Sequence, residues 1–157
     1  MSKADSGLFK KTYGAKVLEQ SISVHYRKRK SKIKSLSPES IRLSQNSVNG
    51  IDEIAKSMKR DGWKGPAIDV VLMQDKKLTS LDNTRVLAAR EAGINVKANV
   101  HQYDEKISDA ETRRRFFTPK GGEPTTWGQA VENRIGKQSS RFRKEHPNGA
   151  YNIKKIR

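Results

Sequence analysis

Residues 79–93 carry the clearest structural pattern in this chain, and they read Thr79-Ser80-Leu81-Asp82-Asn83-Thr84-Arg85-Val86-Leu87-Ala88-Ala89-Arg90-Glu91-Ala92-Gly93. The pattern indicates a short β-strand followed by three polar residues and an arginine. These four residues begin an alanine-rich helix that ends at Gly93. Residues 82–85 therefore fall at a helix N-terminus, where unpaired backbone N–H groups and the helix dipole favour an anion. We expect a phosphate or another anion at this helix start.

The charge of the chain also points to an anionic partner. The formal net charge is +16, from 33 Lys/Arg and 17 Asp/Glu. Residues 1–35 hold 10 basic and 2 acidic residues, residues 36–105 hold 10 of each, and residues 106–157 hold 13 and 5. A neutral middle between two basic ends is typical of proteins that bind nucleic acid, an acidic membrane surface or an acidic protein.

Composition excludes several kinds of chemistry. There is no cysteine among the 157 residues, which excludes a disulfide framework, thiolate chemistry and a cysteine zinc site. No apolar run approaches the roughly 18 residues of a membrane-spanning helix, and the first residues do not resemble a signal peptide. We expect a soluble protein with no stable membrane insertion.

The charge distribution suggests three segments within one domain. Residues 1–35 are predicted to be a basic, flexible N-terminal segment. Residues 36–105 are predicted to form the folded core, and residues 106–157 a basic helical C-terminal extension of the same domain. Within the first segment one helical face is suggested by Tyr13, Val17, Leu18 and Ile22, and it precedes the basic run 25–32.

Helix and strand patterns alternate through the core. Apolar spacing predicts an amphipathic helix over 51–60, capped by Asn49 or Asp52. Residues 68–73 and 78–80 are predicted to form a β-hairpin, and 96–101 a last strand after the helix that ends at Gly93. The order helix, hairpin, helix, strand is typical of a compact α/β or α+β unit.

Two capping boxes predict helices in the C-terminal extension. Ser108 with Glu111 would open the first, and Thr126 with Gln129 the second. The second helix would bury one apolar face, made of Trp127, Ala130, Val131 and Ile135.

The core resembles the ParB/sulfiredoxin superfamily. Members run from a helix through a Gly-x-x-x-Pro-Ile-x-Val segment, a hairpin and an arginine-bearing helix start to an alanine-rich helix that ends in glycine. The matching segments here are 51–60, 62–70, 75–77 and 82–93. The resemblance implies a short sheet with helices, whose helix start binds nucleotide phosphates or acts on a phosphodiester. Asp82 stands where the family has glycine, which disfavours an ATP- or CTP-dependent enzyme and suits a metal or general-base chemistry.

A second resemblance covers residues 36–157. The C-terminal toxin domains of contact-dependent growth inhibition systems, a class of bacterial polymorphic toxins, combine a Ser-Leu-Asp-Asn-Thr-Arg core with a Thr-Trp-Gly-x-Ala-Val-x-x-Arg-Ile segment and an Asn-Pro-Asn-Gly-Ser-Tyr-Asn tail. This chain carries residues 80–85, 126–135 and 146–152 at those places. The resemblance implies an antibacterial nuclease, exported as the C-terminal part of a larger secreted toxin, that acts in the cytoplasm of a target cell. It also implies a cognate immunity protein, which we expect to be acidic because it must cover a basic cleft.

The candidate catalytic residues are Asp82, Asn83, Thr84, Arg85 and His101. The guanidinium of Arg85 matches a phosphate and can stabilise charge that develops on it. Asp82 is a candidate general base or metal ligand, although a helix cap alone would explain it. Asn83 and Thr84 can contact substrate or cap the first turn. His101 can transfer protons near neutral pH, or it can be structural.

Asp69 and the basic extension supply further candidates. If Asp69 and Asp82 point to one edge, they can share Mg²⁺ and activate water; simple alternation instead places Asp69 on a solvent face. The cofactor is therefore either none or Mg²⁺. The arginines of 113–115 are candidates for phosphate contacts, and Phe142 is a candidate for base stacking. The candidate nucleic-acid-binding residues are Ser80, Arg134, Arg141, Arg143, Lys144 and Tyr151.

Two functions of different class follow from the sequence. The first is a nuclease, either a hydrolase or a phosphodiester transferase. The sparse carboxylates and histidines weaken the case for a two-metal DNase and favour RNA, with tRNA as one candidate substrate. The alternative is a non-catalytic ParB-like nucleic-acid-binding module, which would bind in a salt-sensitive way without cutting a strand.

Overall fold

Residues 33–156 are described by a computed structural model of the chain, and they belong to one compact unit. The strands are β1 (Ile33–Leu36), β2 (Ile41–Arg42), β3 (Ser47–Val48), β4 (Ile68–Leu72), β5 (Leu78–Ser80), β6 (Val96–Gln102) and β7 (Lys155–Ile156). The helices are α1 (Ile51–Asp61), α2 (Asn83–Ala92), α3 (Ala110–Arg115), α4 (Trp127–Gly136) and α5 (Ser140–Glu145). The described part is therefore a mixed α/β fold.

Five strands form one sheet in the order β1-β6-β4-β5-β2. The hairpin β4–β5 is antiparallel, and the chain then crosses over through α2 so that β6 lies parallel to β4. The edge strands β1 and β2 pair with β6 and β5. The apolar, β-branched β4 lies in the middle, as expected for a strand buried on both faces.

The two faces of the sheet are covered by different parts of the chain. Alternate residues of a strand point to opposite faces, and Ile68 and Val70 pack with α1 and α2 in one apolar cluster. Val71 and Met73 point the other way, into a second cluster that includes Trp127 and Val131 of α4. The basic C-terminal extension is thus a structural layer on the second face, and it covers the face that carries Asp69.

The C-terminal tail is bound to the sheet edge. Leu43 and Ala150 exchange two backbone hydrogen bonds of 2.7 and 2.9 Å. Thr79, which is fully buried in β5, donates from its hydroxyl to the carbonyl of Asn148. Gly149 between them has φ of +111°, and a Cβ there would lie 2.8 Å from Thr79 Cγ2 and 3.0 Å from the carbonyl oxygen of Leu43. The Asn-Gly-Ala segment of the tail is therefore a packing motif.

Several local expectations differ from the structure. Residues 33–35 belong to β1, so regular structure begins before residue 36. Helix α1 begins after Gly50, whose φ is +76°, with neither Asn49 nor Asp52 as a side-chain cap. Helix α3 is capped by Asp109, whose carboxylate accepts from the backbone of Thr112, and not by Ser108. An aspartate one residue later competes successfully because it is an equally good cap.

Other expectations are confirmed or fall elsewhere. The capping box of Thr126 and Gln129 is present at α4, and Asp82 caps α2. The helical face of Tyr13, Val17, Leu18 and Ile22, the basic run 25–32 and its His25 lie outside the described residues. Over the part of the chain that is described, no helix is long and apolar enough to cross a membrane.

Candidate active site

An open cleft of about 450 Å³ lies where the hairpin β4–β5 meets the start of α2 and the end of α3. Its charged lining residues are Asp69, Asp82, Arg85 and Arg115. The hairpin explains why two of them meet: Leu81 donates its backbone N–H to the carbonyl of Asp69 at 3.0 Å, and Asp82 follows Leu81. The remaining lining residues are Pro66, Ala67, Ile68, Leu81 and Phe116.

Asp82 and Arg85 form an ion pair across the first turn of α2. The Asp82 carboxylate accepts from the backbone N–H of Arg85 at 3.2 Å, and its second oxygen lies 3.3 Å from Arg85 Nε. That Nε is buried and makes no well-aligned hydrogen bond within the described residues, so the side-chain contact is electrostatic. One oxygen of Asp82 therefore caps the helix while the other faces the guanidinium.

The guanidinium of Arg85 is held from two further sides. Its Nη2 donates to the carbonyl oxygen of Pro66. Its central carbon lies 4.4 Å from the ring centroid of Trp63, a cation–π contact. The side chain keeps 19% of its surface exposed. Arg85 thus presents a preoriented positive charge to the cleft.

Asp69 is hydrogen-bonded to a buried histidine. Asp69 Oδ1 lies 2.9 Å from His101 Nε2, and His101 Nδ1 lies 2.9 Å from Glu105 Oε2. The imidazole stacks on Trp127 with ring centroids 3.8 Å apart. Asp69, His101 and Glu105 therefore form a hydrogen-bonded row that begins at the cleft.

The environment of His101 and Asp69 changes two expectations. His101 is only 6% exposed; it contacts the cleft residue Asp69 and does not itself line the cleft. Asp69 does not lie on a solvent face, because α4 covers that side of the sheet; its side chain is 33% exposed and lines the cleft.

Arg134 lies beside the cleft in a half-buried position. Its Nη1 makes two long contacts, 3.4 Å to the carbonyl of Leu81 and 3.5 Å to Gln45 Oε1. Burial, and then the nearby positive charge of Arg115, hold the pKa of Arg134 below its ordinary value, while the charge of Asp82 acts in the opposite direction. The neighbourhood of Asp82 is therefore rich in guanidinium groups.

Asn83 and Ser80 are engaged in the interior of the protein. Asn83 is 2% exposed; its Oδ1 accepts from the backbone of Ser44 at 2.8 Å, and its Nδ2 donates to Gln45 Oε1 at 2.7 Å. Ser80 is fully buried and accepts from the backbone N–H of Asp82 at 2.8 Å. Both side chains hold the start of α2 in place. Thr84 is half-buried at the same helix start and is not among the residues that line the cleft.

The remaining candidates lie on α5 and the tail, and none of them lines the cleft. Arg141 is exposed and pairs with Glu145 at 3.1 Å. Arg143 is half-buried, Lys144 is exposed, and Tyr151 is 39% exposed. Phe142 is 3% exposed in the second apolar cluster, so the expectation that it stacks on a base is wrong.

The carboxylates of the cleft fit a divalent metal poorly. Asp82 faces a guanidinium, and one oxygen of Asp69 is bonded to His101. Among the residues described, no three His, Asp or Glu side chains gather as a metal-ligand set. A Mg²⁺ ion prefers several free oxygen ligands, and Asp69 and Asp82 do not offer them.

Sequence reasoning missed three partners of the site. They are Trp63, which contacts Arg85; Glu105, which contacts His101; and Arg115, which lines the cleft. The tertiary structure brings each of them to the site. Glu105 follows His101 by four residues, but it reaches the ring through a turn and not along a helix, so no periodicity marks it.

Comparison with known proteins gives no family assignment. No protein-family model matches the chain, and no curated protein sequence is significantly similar to it. The fold and cleft define a mixed α/β protein with a site lined by two aspartates and two arginines.

Proposed function

We propose that this chain is a nuclease domain that cleaves phosphodiester bonds, with RNA as the substrate. One observation carries the proposal: a carboxylate backed by a histidine and a preoriented guanidinium line the same open cleft. Asp69, held in place by His101, supplies a proton acceptor, and Arg85 supplies positive charge; metal-independent phosphodiester cleavage needs both.

The reaction can be written for these groups with RNA. The free oxygen of the Asp69 carboxylate accepts the proton of a ribose 2′-hydroxyl, whose oxygen attacks the adjacent phosphorus. Arg85 stabilises the negative charge that grows on the phosphoryl oxygens. The bond from phosphorus to the 5′-oxygen breaks, and that oxygen takes a proton from solvent at the open mouth of the cleft. The products are a 2′,3′-cyclic phosphate and a 5′-hydroxyl, so the reaction is a phosphodiester transfer.

Asp82 and His101 act as positioning residues in this scheme. Asp82 holds Arg85 by its carboxylate and caps the helix that carries it. His101 bonds Asp69 and, through Glu105, is fixed in orientation. Orienting groups of this kind keep the reacting side chains in productive geometry.

The wider biological role belongs to the same proposal. The described core has the helix, hairpin, arginine-bearing helix and strand in the order of the ParB/sulfiredoxin superfamily, which supports a core of that kind. The toxin motifs support an antibacterial domain, exported as part of a larger protein and acting in the target-cell cytoplasm. An acidic immunity protein fits the arginines at and beside the cleft, Arg85, Arg115 and Arg134.

The test is cleavage of total RNA and of plasmid DNA, each with Mg²⁺ and with EDTA, on denaturing gels. We expect RNA fragments that persist in EDTA. Asp69→Asn should lower the rate by at least about 100-fold, as loss of a general base does. Lys59→Gln removes one charge from an exposed position on α1 that does not line the cleft, and should cleave like the wild type. DNA nicking that EDTA abolishes would contradict the RNA mechanism.

The second candidate function is a non-catalytic nucleic-acid-binding module. Its supporting observation is that both cleft carboxylates already have protein partners, His101 for Asp69 and Arg85 for Asp82. This function predicts intact RNA and DNA in every lane, together with binding whose affinity falls steeply with salt. Gel-shift titrations on the same samples distinguish the two functions.

A further inference from the structure

A shallow groove continues from the cleft along the end of α3. It is lined by Arg115, Phe116, Phe117, Thr118, Arg134 and Lys137, with a volume of about 60 Å³. We call it the side groove. Arg115 and Phe116 line both the cleft and the side groove. A chain-like ligand that crosses the cleft can therefore continue into the side groove.

Two arginines converge in the side groove on one buried ring. The guanidinium carbons of Arg115 and Arg134 lie 5.0 and 5.4 Å from the centroid of Phe116. Neither arginine has a carboxylate ion-pair partner among residues 33–156, and Lys137, which is exposed, adds a third positive charge. Like charges held together destabilise each other, and an anion between them relieves that repulsion.

An exposed aromatic ring stands beside these charges. Phe117 is 54% exposed, the most exposed of the large apolar side chains described. A single exposed apolar residue needs no explanation by itself. A ring placed among cations that line one groove is different, because proteins bind unpaired nucleotides by phosphate contacts together with stacking of bases on aromatic side chains.

We propose that the side groove binds a nucleotide next to the scissile bond, with its phosphate on Arg115, Arg134 and Lys137 and its unpaired base on Phe117. The substrate is then a single strand or a loop, because a paired base is not free to stack. The position of this subsite next to the cleaved bond rests on the proposed nuclease function. The binding of a strand in the side groove does not, because it is measured without cleavage.

The test uses strands that cannot undergo the proposed reaction. The probe is a fluorescein-labelled 2′-O-methyl RNA strand of about 12 nucleotides, within the usual range of single-strand sites. Its duplex and an abasic phosphodiester strand of equal length serve for comparison, all in EDTA. Phe117→Ala should weaken binding of the base-bearing strand by about 10-fold and leave the abasic strand unchanged. Phe117→Trp should bind both strands like the wild type.

The electrostatic part is tested separately. Arg115→Gln should weaken both single strands and lower the slope of log affinity against log salt by about 0.7, the value for one phosphate contact. Lys59→Gln and Ile33→Ala are the matched controls, since they remove one exposed charge and one exposed apolar side chain from other parts of the surface. Circular dichroism melts check that the variants are folded.

The outcomes separate this proposal from the nuclease function. Three results would each overturn the subsite. Phe117→Ala could bind the base-bearing strand as tightly as the wild type does, it could weaken binding of the base-bearing and abasic strands equally, or the protein could prefer the duplex. If the protein cleaves RNA but its binding of strands does not depend on Phe117, the subsite is rejected and the nuclease function is retained. Phe117-dependent binding in a protein that cleaves nothing would keep the subsite and reject the nuclease.

Discussion

At the level of single residues, Asp69 and Asp82 differ in what they contact. Asp69 is bonded to a histidine and has an oxygen left for the cleft. Asp82 is bonded to the backbone and faces the guanidinium of Arg85. The first arrangement suits proton transfer and the second suits the orientation of a positive charge.

This difference predicts unequal effects of two matched substitutions. Asp69→Asn should lower RNA cleavage by about 100-fold or more, because the proton acceptor is lost. Asp82→Asn should lower cleavage by only about 10-fold, since asparagine still caps α2 and only the hold on Arg85 is weakened. Single-turnover rates at saturating RNA measure both.

Binding of an uncleavable strand serves as the control for the Asp69→Asn and Asp82→Asn variants. Neither variant should weaken binding of an uncleavable strand, because each removes a negative charge from a site for anions. Equal losses of rate, or a larger loss for Asp82→Asn, would move the role of general base to Asp82.

At the level of elements, the position of α2 depends on contacts outside the helix. Asn83 joins its first turn to Ser44 and Gln45, and Arg90 in its last turn donates to the carbonyls of Pro38, Ile41 and Tyr151. The helix that carries Arg85 is thereby tied to the edge of the sheet and to the C-terminal tail.

The tail itself gives a prediction about packing. Gly149→Ala should lower the free energy of unfolding by about 3 kcal/mol, since φ of +111° disfavours a side chain and the new Cβ would overlap Thr79 and the carbonyl of Leu43. Gly93→Ala is the control: φ is +71°, nothing lies within 4 Å of its Cβ, and the expected loss is about 1 kcal/mol.

Urea unfolding of both glycine variants measures the difference. A loss for Gly149→Ala no larger than that for Gly93→Ala would mean that the tail is not packed against β5.

At the level of the whole molecule, an ion pair between the buried Arg42 and the solvent-exposed Asp75 ties the edge strand β2 to the β4–β5 turn. Arg42 is 6% exposed and makes two hydrogen bonds, of 2.6 and 2.9 Å, with the carboxylate of Asp75. The Arg42 guanidinium holds the pKa of Asp75 below its ordinary value, against the opposing effect of burial. The folded protein therefore binds a proton at Asp75 less readily than the unfolded chain.

The sign of the pH dependence follows from that lowered pKa. The contribution of Asp75 to stability is complete above the ordinary aspartate value of about 4 and is lost as the pH falls through the lower folded value. Asp75→Asn should lower the free energy of unfolding by about 1 kcal/mol at pH 7, because Arg42 loses its counter-charge while solvent at the exposed Asp75 already weakens the pair. The difference from wild type should shrink at acid pH.

Urea titrations at several pH values between about 2 and 7 check this expectation. Asp104→Asn, at an exposed position, should follow the wild type throughout. A gap between wild type and Asp75→Asn that stays constant with pH would show that Asp75 is not titrating with folding.

Much of the site could be predicted because it is local. Residues 82–85 form the start of a helix because the Asp82 cap, the alanine-rich turns and the Gly93 end are all local signals for the same helix. The partners of Asp69 could not be predicted in this way, because His101 lies 32 residues away on a strand that pairs with β4 only after the crossover. Arg115 and Phe117 reach the site through packing of the C-terminal layer.

Local sequence patterns were enough to predict the mixed α/β character, the hairpin, the helices α1, α2 and α4, and the concentration of positive charge. These depend on periodicity, caps and composition, which act over a few residues. Three features became visible only in the folded chain: the extension covers one face of the sheet, His101 contacts the cleft residue Asp69, and Asn83 is buried in the interior. Those features depend on which distant segments bury their apolar faces against each other, and a local pattern does not specify its partner.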